Sequence, residues 1–323
     1  MKGFSEGLKL GSYLVEYLPL LRYVPPWFPG AGFRRQTVKW HADATALRTV
    51  PFVQAKEDFN NSATAVKSSI ASMQLEKISG MEGLDIVEAE EDIQSVLGVI
   101  YAGGADTTFS TLQWFLLAMI LYPEVQKKAQ AELDAVVGAD RLPEIGDRHS
   151  LPYINAVAME CLRWKPVLPL SVIHATTDDD EYKGYFIPKG SLVIPSIWAI
   201  TQDPSIYPDP HEFIPERFLK DGQLNPEVKN PNTAIFGFGR RICPGRHFAE
   251  ETVFINIASV LHVFNIDTHL DAAGRPIAPK PQMTSGILTY PAPFQFNLKP
   301  RSSSAEALVW DGMGSASEAT VSP

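Results

Sequence analysis

The sequence predicts a mainly α protein with small β-sheets. Three observations carry that prediction. Helical periodicity dominates residues 1–165, with its longest pattern running from Glu88 to Leu121. Apolar and β-branched stretches at 171–177, 185–195, Phe264–Thr268 and Phe294–Leu298 are short, as strands of small sheets are. The chain has 323 residues, 45% of them hydrophobic, enough to bury a large core.

Taken in order, Leu8, Leu10, Tyr13, Leu14, Tyr17 and Leu18 form a helical face. The run Leu20-Leu-Arg-Tyr-Val-Pro-Pro-Trp-Phe-Pro-Gly30 follows, a stiff aromatic loop. It suits a membrane-dipping surface and a packed connection equally. Residues 33–58 read as a helix with Val38, Ala42, Ala46 and Val50 near period, and 62–78 as another ended by Gly80. The long pattern that follows holds Ala102-Gly-Gly-Ala-Asp-Thr-Thr108 at its middle. Two adjacent glycines cost about 2 kcal/mol against alanine inside a helix. The segment is therefore expected to be kinked for packing or opened for chemistry.

Pro123 opens a helix that stops at Gly138, and Pro152 opens one through about Lys165. The β-rich stretches that follow are separated by a turn at Asp178–Gly184. Residues 201–235 are proline-dense and aperiodic, a length of loop that is usually functional or heavily packed. A helix is expected from Arg246 to Val263, and residues 301–323 read as a disordered tail.

Composition removes several function classes. The net charge is −9, with 28 basic against 37 acidic residues and no basic tract, which argues against nucleic acid as a partner. Two cysteines, Cys161 and Cys243, make no disulfide framework. The longest uncharged apolar run, Leu112–Tyr122, is too short to span a bilayer, and residues 1–12 lack the apolar core of a signal peptide.

The densest chemistry lies in Phe236-Gly-Phe-Gly-Arg-Arg-Ile-Cys-Pro-Gly-Arg246. Glycines 237, 239 and 245 let backbone approach something flat or bulky. Arg240, Arg241 and Arg246 suit carboxylates or phosphates. Cys243 precedes a helix N-terminus, whose dipole favours a thiolate. A Cys in that place is ordinarily a small buried apolar side chain. The pattern F-x-x-G-x-R-x-C-x-G, met by Phe236, Gly239, Arg241, Cys243 and Gly245, is too full for that. No Lys-Ser/Thr follows the glycines, so a phosphate-binding P-loop is excluded.

This stretch resembles the haem-binding loop of the cytochromes P450. Glu160-Cys-Leu-Arg163 resembles that family's E-x-x-R helix, and Pro215-Glu-Arg-Phe218 its P-E-R-F segment. Alone, E-x-x-R fits a surface ion pair; the order of the motifs changes the reading. The resemblance implies a P450 fold over residues 1–300, of which this chain is the C-terminal two-thirds or so. It implies haem b (iron protoporphyrin IX) with Cys243 as its thiolate ligand. Phe236, Gly239, Arg241, Gly245 and His174 line that cofactor, Arg241 and His174 at its propionates. Glu160, Arg163 and Arg217 form a buried network behind the loop. Gly103-Gly-Ala-Asp-Thr107 resembles the oxygen-activation segment, with Thr107 hydrogen-bonding bound dioxygen and Asp106 relaying protons. Val167–Ser171 and Ser285–Leu288 resemble substrate-contacting segments.

The implied activity is monooxygenation of a lipophilic small molecule, in the manner of fungal microsomal members that oxidise secondary metabolites. NADPH-cytochrome P450 reductase is the implied partner. The resemblance lacks the family's N-terminal part, including the anchor and a W-x-x-x-R contact that neither Trp40 nor Trp114 supplies. Residence at the endoplasmic reticulum membrane is thus expected of a full-length relative only. Two other readings stay open: a haem-thiolate isomerase or dehydratase working on peroxides, against which Asp106 and Thr107 count, and a truncated remnant that binds no haem.

Overall fold

A computed structural model describes residues 13–61 and 69–318. The chain divides into two compact units, residues 1–107 and 108–323, where the sequence suggests one domain. The division falls inside one helix, α3.

In the first unit, 3-10 turns at Leu14–Glu16 and Pro19–Tyr23 replace the first expected helical face; Leu8 and Leu10 lie outside the described residues. Pro19, Pro25 and Pro26 interrupt helical hydrogen bonding there. Leu20 and Trp27 in this segment are 80% and 78% exposed. Helix α1 (Gly32–Asn61) is longer than predicted and carries Pro51 inside it. Its expected apolar face is not the buried one: Val38 and Val50 are exposed, and Phe52 is the buried residue. Helix α2 is Ile70–Ile78, capped by the Ser69 hydroxyl, which accepts from Ser72 N at 3.0 Å. The start expected at residue 62 lies outside the described residues. Helix α3 runs Leu84–Leu121 without a break. At Gly98 a Cβ would stand 3.2 Å from Arg48 Cα, so this glycine permits the close approach of α1 to α3.

The second unit gathers α4 (Pro123–Val136), α5 (Pro152–Trp164) and α8 (Arg246–Val263) with the end of α3. Their apolar faces meet in one core around Trp114, Leu117, Leu133, Ile154, Val157, Phe254, Ile257 and Leu261, all fully buried. Proline at the first position of α4 and α5 costs nothing, because that N–H has no helical partner. Glu132 caps α5 from α4, its carboxylate accepting Tyr153 N and Ile154 N at 2.8 and 3.0 Å.

The strands are short and all pair antiparallel. β1 (His174–Ala175) pairs with β4 (Leu192–Val193), and β2 (Asp180–Tyr182) with β3 (Tyr185–Ile187). The turn expected at Asp178–Gly184 is thus a hairpin, with Lys183 at φ 52 and Gly184 at φ 82 making its bend. The proline-dense stretch carries α6 (Ile197–Thr201), a 3-10 turn at Pro215–Phe218, the small pair β5 (Leu219–Lys220) with β6 (Gln223–Leu224), and α7 (Asn232–Ile235). β7 (Phe264–Thr268) pairs with β8 (Phe296–Pro300), two residues later than predicted. Gln126 fixes that pair to α4, its amide donating to Ile266 O and accepting from Ile266 N.

The tail is a correction. Residues Ser303–Glu318 form helix α9, where composition suggested disorder; residues 319–323 lie outside the described residues. Ser302 caps it, its hydroxyl accepting from Ala305 N at 3.1 Å. Arg301 anchors its start with two bonds to Asp134, at 2.8 and 2.6 Å. An Ala/Ser/Glu-rich segment without an apolar stripe is seated here by a cap, a guanidinium and one buried alanine, Ala305.

Candidate functional site

Phe236–Arg246 forms a closed loop in the second unit. Cys243 N donates to Phe236 O at 2.8 Å, and Ile242 N to Gly239 O at 3.2 Å. Gly237 at φ 79 and Gly239 at φ 60 occupy the left-handed region, which side-chain-bearing residues avoid. No atom lies within 4 Å of where a Cβ on Gly239 would stand. Gly245 is the N-cap of α8 and offers no side chain to its first amides. Cys243 is a free thiol, half-buried, at the dipole's positive end. Cys161 is also free, but it is buried in the core, and burial followed by the Glu160 charge pushes its thiol well up. Of the two, Cys243 is the thiol that stands outside the core.

Glu160, Arg163 and Arg217 do come together, and completely. Glu160 and Arg163 are both 0% exposed. Arg163 Nε and Nη2 each donate to the Glu160 carboxylate at 2.7 Å. Its other donors reach Thr201 O (3.0 Å), Pro210 O (2.8 Å) and Glu212 O (3.0 Å). Every guanidinium N–H thus has an acceptor. Glu160 Oε1 also accepts from Ile214 N at 2.8 Å and Arg217 Nε at 3.2 Å. Arg217 then reaches Pro208 O at 2.6 Å. A buried carboxylate between two guanidiniums is tolerable because each charge is paired and hydrogen-bonded. The carbonyls it holds belong to residues 201–212, so what the network directly fixes is the proline-dense stretch leading toward the loop.

The remaining predicted residues are less tied. His174 opens β1, exposed, opposite Val193. Arg241 is exposed and enters no ion pair among the described residues. Phe236 is half-buried and joins Cys243 through its carbonyl. In the first unit, Asp106 and Thr107 are half-buried on α3. The Thr107 hydroxyl donates to Gly103 O at 2.8 Å, the carbonyl one turn back. The helix is continuous through Gly103-Gly104, so the opening expected there does not occur. A methyl on either glycine would meet nothing within 4 Å.

Some supporting residues were invisible to motif reading. Thr289 joins the two segments that resemble substrate-contacting ones: its N donates to Val167 O at 2.9 Å and its hydroxyl to Pro166 O at 3.1 Å. Ser110 of α3 donates to Thr289 O at 2.5 Å, fully buried. Trp164 Nε1 donates to His211 O at 2.7 Å, adding a second hold on the proline-dense stretch. Only burial of a Thr and a Ser in otherwise apolar surroundings could have signalled these.

The donor set fits a haem iron. Among the described residues no three His, Cys, Asp or Glu side chains gather as a metal cage. One soft donor on a loop of open glycine positions suits a metal whose other ligands come from a macrocycle. A hollow of about 320 Å³ between Ile200, Asp203, Lys229, Thr233 and Phe238 is a different feature, since Cys243 does not line it.

Comparison with known proteins agrees with this chemistry. The family described as Cytochrome P450 matches residues 27–298. The chain is 42% identical over 311 residues to Cytochrome P450 monooxygenase COX2 of Coprinopsis cinerea, covering 96% of this chain and 59% of that protein. It is 43% identical over 306 residues to Cytochrome P450 monooxygenase ARMGADRAFT_974139 of Armillaria gallica, covering 94% and 58%. It is 42% identical over 302 residues to Cytochrome P450 monooxygenase 98 of Postia placenta, covering 93% and 57%. The chain thus spans under two-thirds of the length of these relatives.

Proposed function

The chain belongs to the cytochrome P450 family, and from that premise we propose that it is the haem-thiolate part of a monooxygenase. The reaction inserts one oxygen atom of O2 into a lipophilic organic substrate, with electrons from NADPH-cytochrome P450 reductase. The observation that carries this reading is the free, half-buried Cys243 on its glycine loop ahead of α8.

Haem b, when bound, supplies dioxygen activation and the transfer of one oxygen atom. The chain's own residues do the rest. Cys243 Sγ would hold the iron, and the Phe236 carbonyl holds the cysteine backbone in place. With haem bound, the Phe236 ring would limit water around the sulfur. Arg241 and His174 offer cationic or hydrogen-bonding partners to the propionates. Asp106 and Thr107 hold and pass protons, Thr107 through the Oγ1 now bonded to Gly103 O. Val167–Ser171 and Ser285–Leu288, drawn together by Thr289, line an apolar substrate surface.

Secondary metabolites are the substrate class we favour, on the fungal sources of the relatives. Among the described residues no helix is long and apolar enough to cross a membrane. Exposed Leu20 and Trp27 support contact with the endoplasmic reticulum surface in a full-length protein.

The test is the carbon monoxide complex of reduced, haem-loaded protein. A thiolate-type Soret band that disappears in Cys243→Ala supports the reading. A band that persists in that variant overturns the ligand assignment. Protein of normal helical content that takes up no haem favours the non-haem-binding remnant instead.

A further inference from the structure

His262 sits in the last turn of α8 and is 5% exposed. Its ring is packed near the Arg141 backbone, and Nδ1 is buried with no partner.

The charged groups facing it come from three elements. Asp134 lies on α4, Arg141 on the loop that follows, and Arg301 at the end of β8. Both guanidiniums are already committed: Arg141 to Asp147 at 2.7 and 2.8 Å, Arg301 to Asp134. Arg301 Nη1 also donates to His262 O at 3.1 Å, and Arg301 N to Val263 O at 2.8 Å. The same arginine seats α9, whose own first-turn acid, Glu306, is exposed.

We propose that His262 makes the seat of the C-terminal helix proton-sensitive: a proton on its buried ring adds a cation beside Arg301, whose guanidinium bonds the His262 carbonyl, and α9 releases from the end of α8. Burial, then Arg301 and Arg141, hold the imidazole below its ordinary range, with Asp134 and the Arg141 backbone opposing. The sign follows. The released state binds the proton at about pH 6.5 and the seated state only below that. The seat is thus fully stable above that pH and is lost as pH falls beneath it. The lever is the protein's own packing, independent of any bound group.

Amide hydrogen exchange of residues 301–310 in the whole chain tests this, with rates corrected for intrinsic pH dependence. The opening constant should rise by up to about tenfold per pH unit below about 6.5 in the wild type. It should stay flat in His262→Gln, which keeps a polar side chain of similar size and does not titrate. Equal pH dependence in both proteins overturns the proposal. Should the variant fail to fold, NMR titration of wild-type His262 decides. A value well below about 6.5 supports the device, and a value at or above it removes the basis for it.

Discussion

The Glu160 network and the Cys243 loop lie in the same unit and are built on opposite terms. Around Glu160, two guanidiniums and a backbone amide converge on one carboxylate, and each Arg163 donor is used within the protein. Around Cys243, the ties are a few local backbone bonds, the thiol is free, and Arg241 has no acidic partner among the described residues. The first region is satisfied internally and so is a support. The second leaves its thiol and Arg241 without protein partners among the described residues. The difference is one of satisfaction: charges are exhausted where shape is held, and are left unspent around the loop proposed as the site.

The comparison can be broken from the network side first. Glu160→Ala leaves Arg163 buried without its anion, and should lower the stability of the second unit by about 3–5 kcal/mol in urea unfolding. A loss under about 1 kcal/mol would show that solvent reaches Arg163 and that the region is no support.

On the loop side the expected effect is smaller and of a different kind. Gly239→Ala meets no steric obstacle, as nothing lies within 4 Å, so its cost is that of a left-handed backbone alone. That amounts to about 1–2 kcal/mol, read from the thermal midpoint. No change would mean that the loop relaxes to another conformation.

The smallest effect belongs to a surface pair. Arg141 bonding, then Glu144 N, pulls the Asp147 carboxyl down to about 2. A depressed carboxyl stabilises the fold above its unfolded value of about 3.9, and that contribution is lost as pH falls from there to about 2. Asp147→Asn should therefore lower stability slightly from about pH 4 up to neutral, as an exposed pair does, and converge with the wild type near pH 2, flattening the acid limb in that window. An unchanged acid limb would assign the acid sensitivity elsewhere.

Legibility in the sequence followed the same divide. Helices with a proline start and a one-sided apolar pattern, such as Pro123–Val136 and Pro152–Trp164, were readable nearly to the residue. So was the cysteine loop, because its glycines and thiol are local requirements. The ion-pair network was readable only through resemblance, since spacing alone cannot distinguish a buried Glu160 from a surface one. Three features escaped. The hairpin at Asp180–Ile187 is short and exposed and offers no apolar alternation. Helix α9 owes its seat to Arg301 and Asp134, far apart in sequence. Thr289 earns its place through carbonyls of residues 166 and 167, which no local pattern announces.

The spacing of contacts carries one more consequence, for the order of assembly. The hydrogen bond from Cys243 to Phe236 closes a short stretch of chain, so the ligand loop can find its shape from neighbours alone. Arg163 must instead wait for carbonyls 38, 47 and 49 residues away. Closing such lengths costs chain entropy before any bond is gained. Until then Glu160 is the acceptor within Arg163's local reach, three residues back on the same helix. The proximal ion pair can thus serve as a holding contact during folding, keeping a guanidinium neutralised until the proline-dense stretch arrives to surround it.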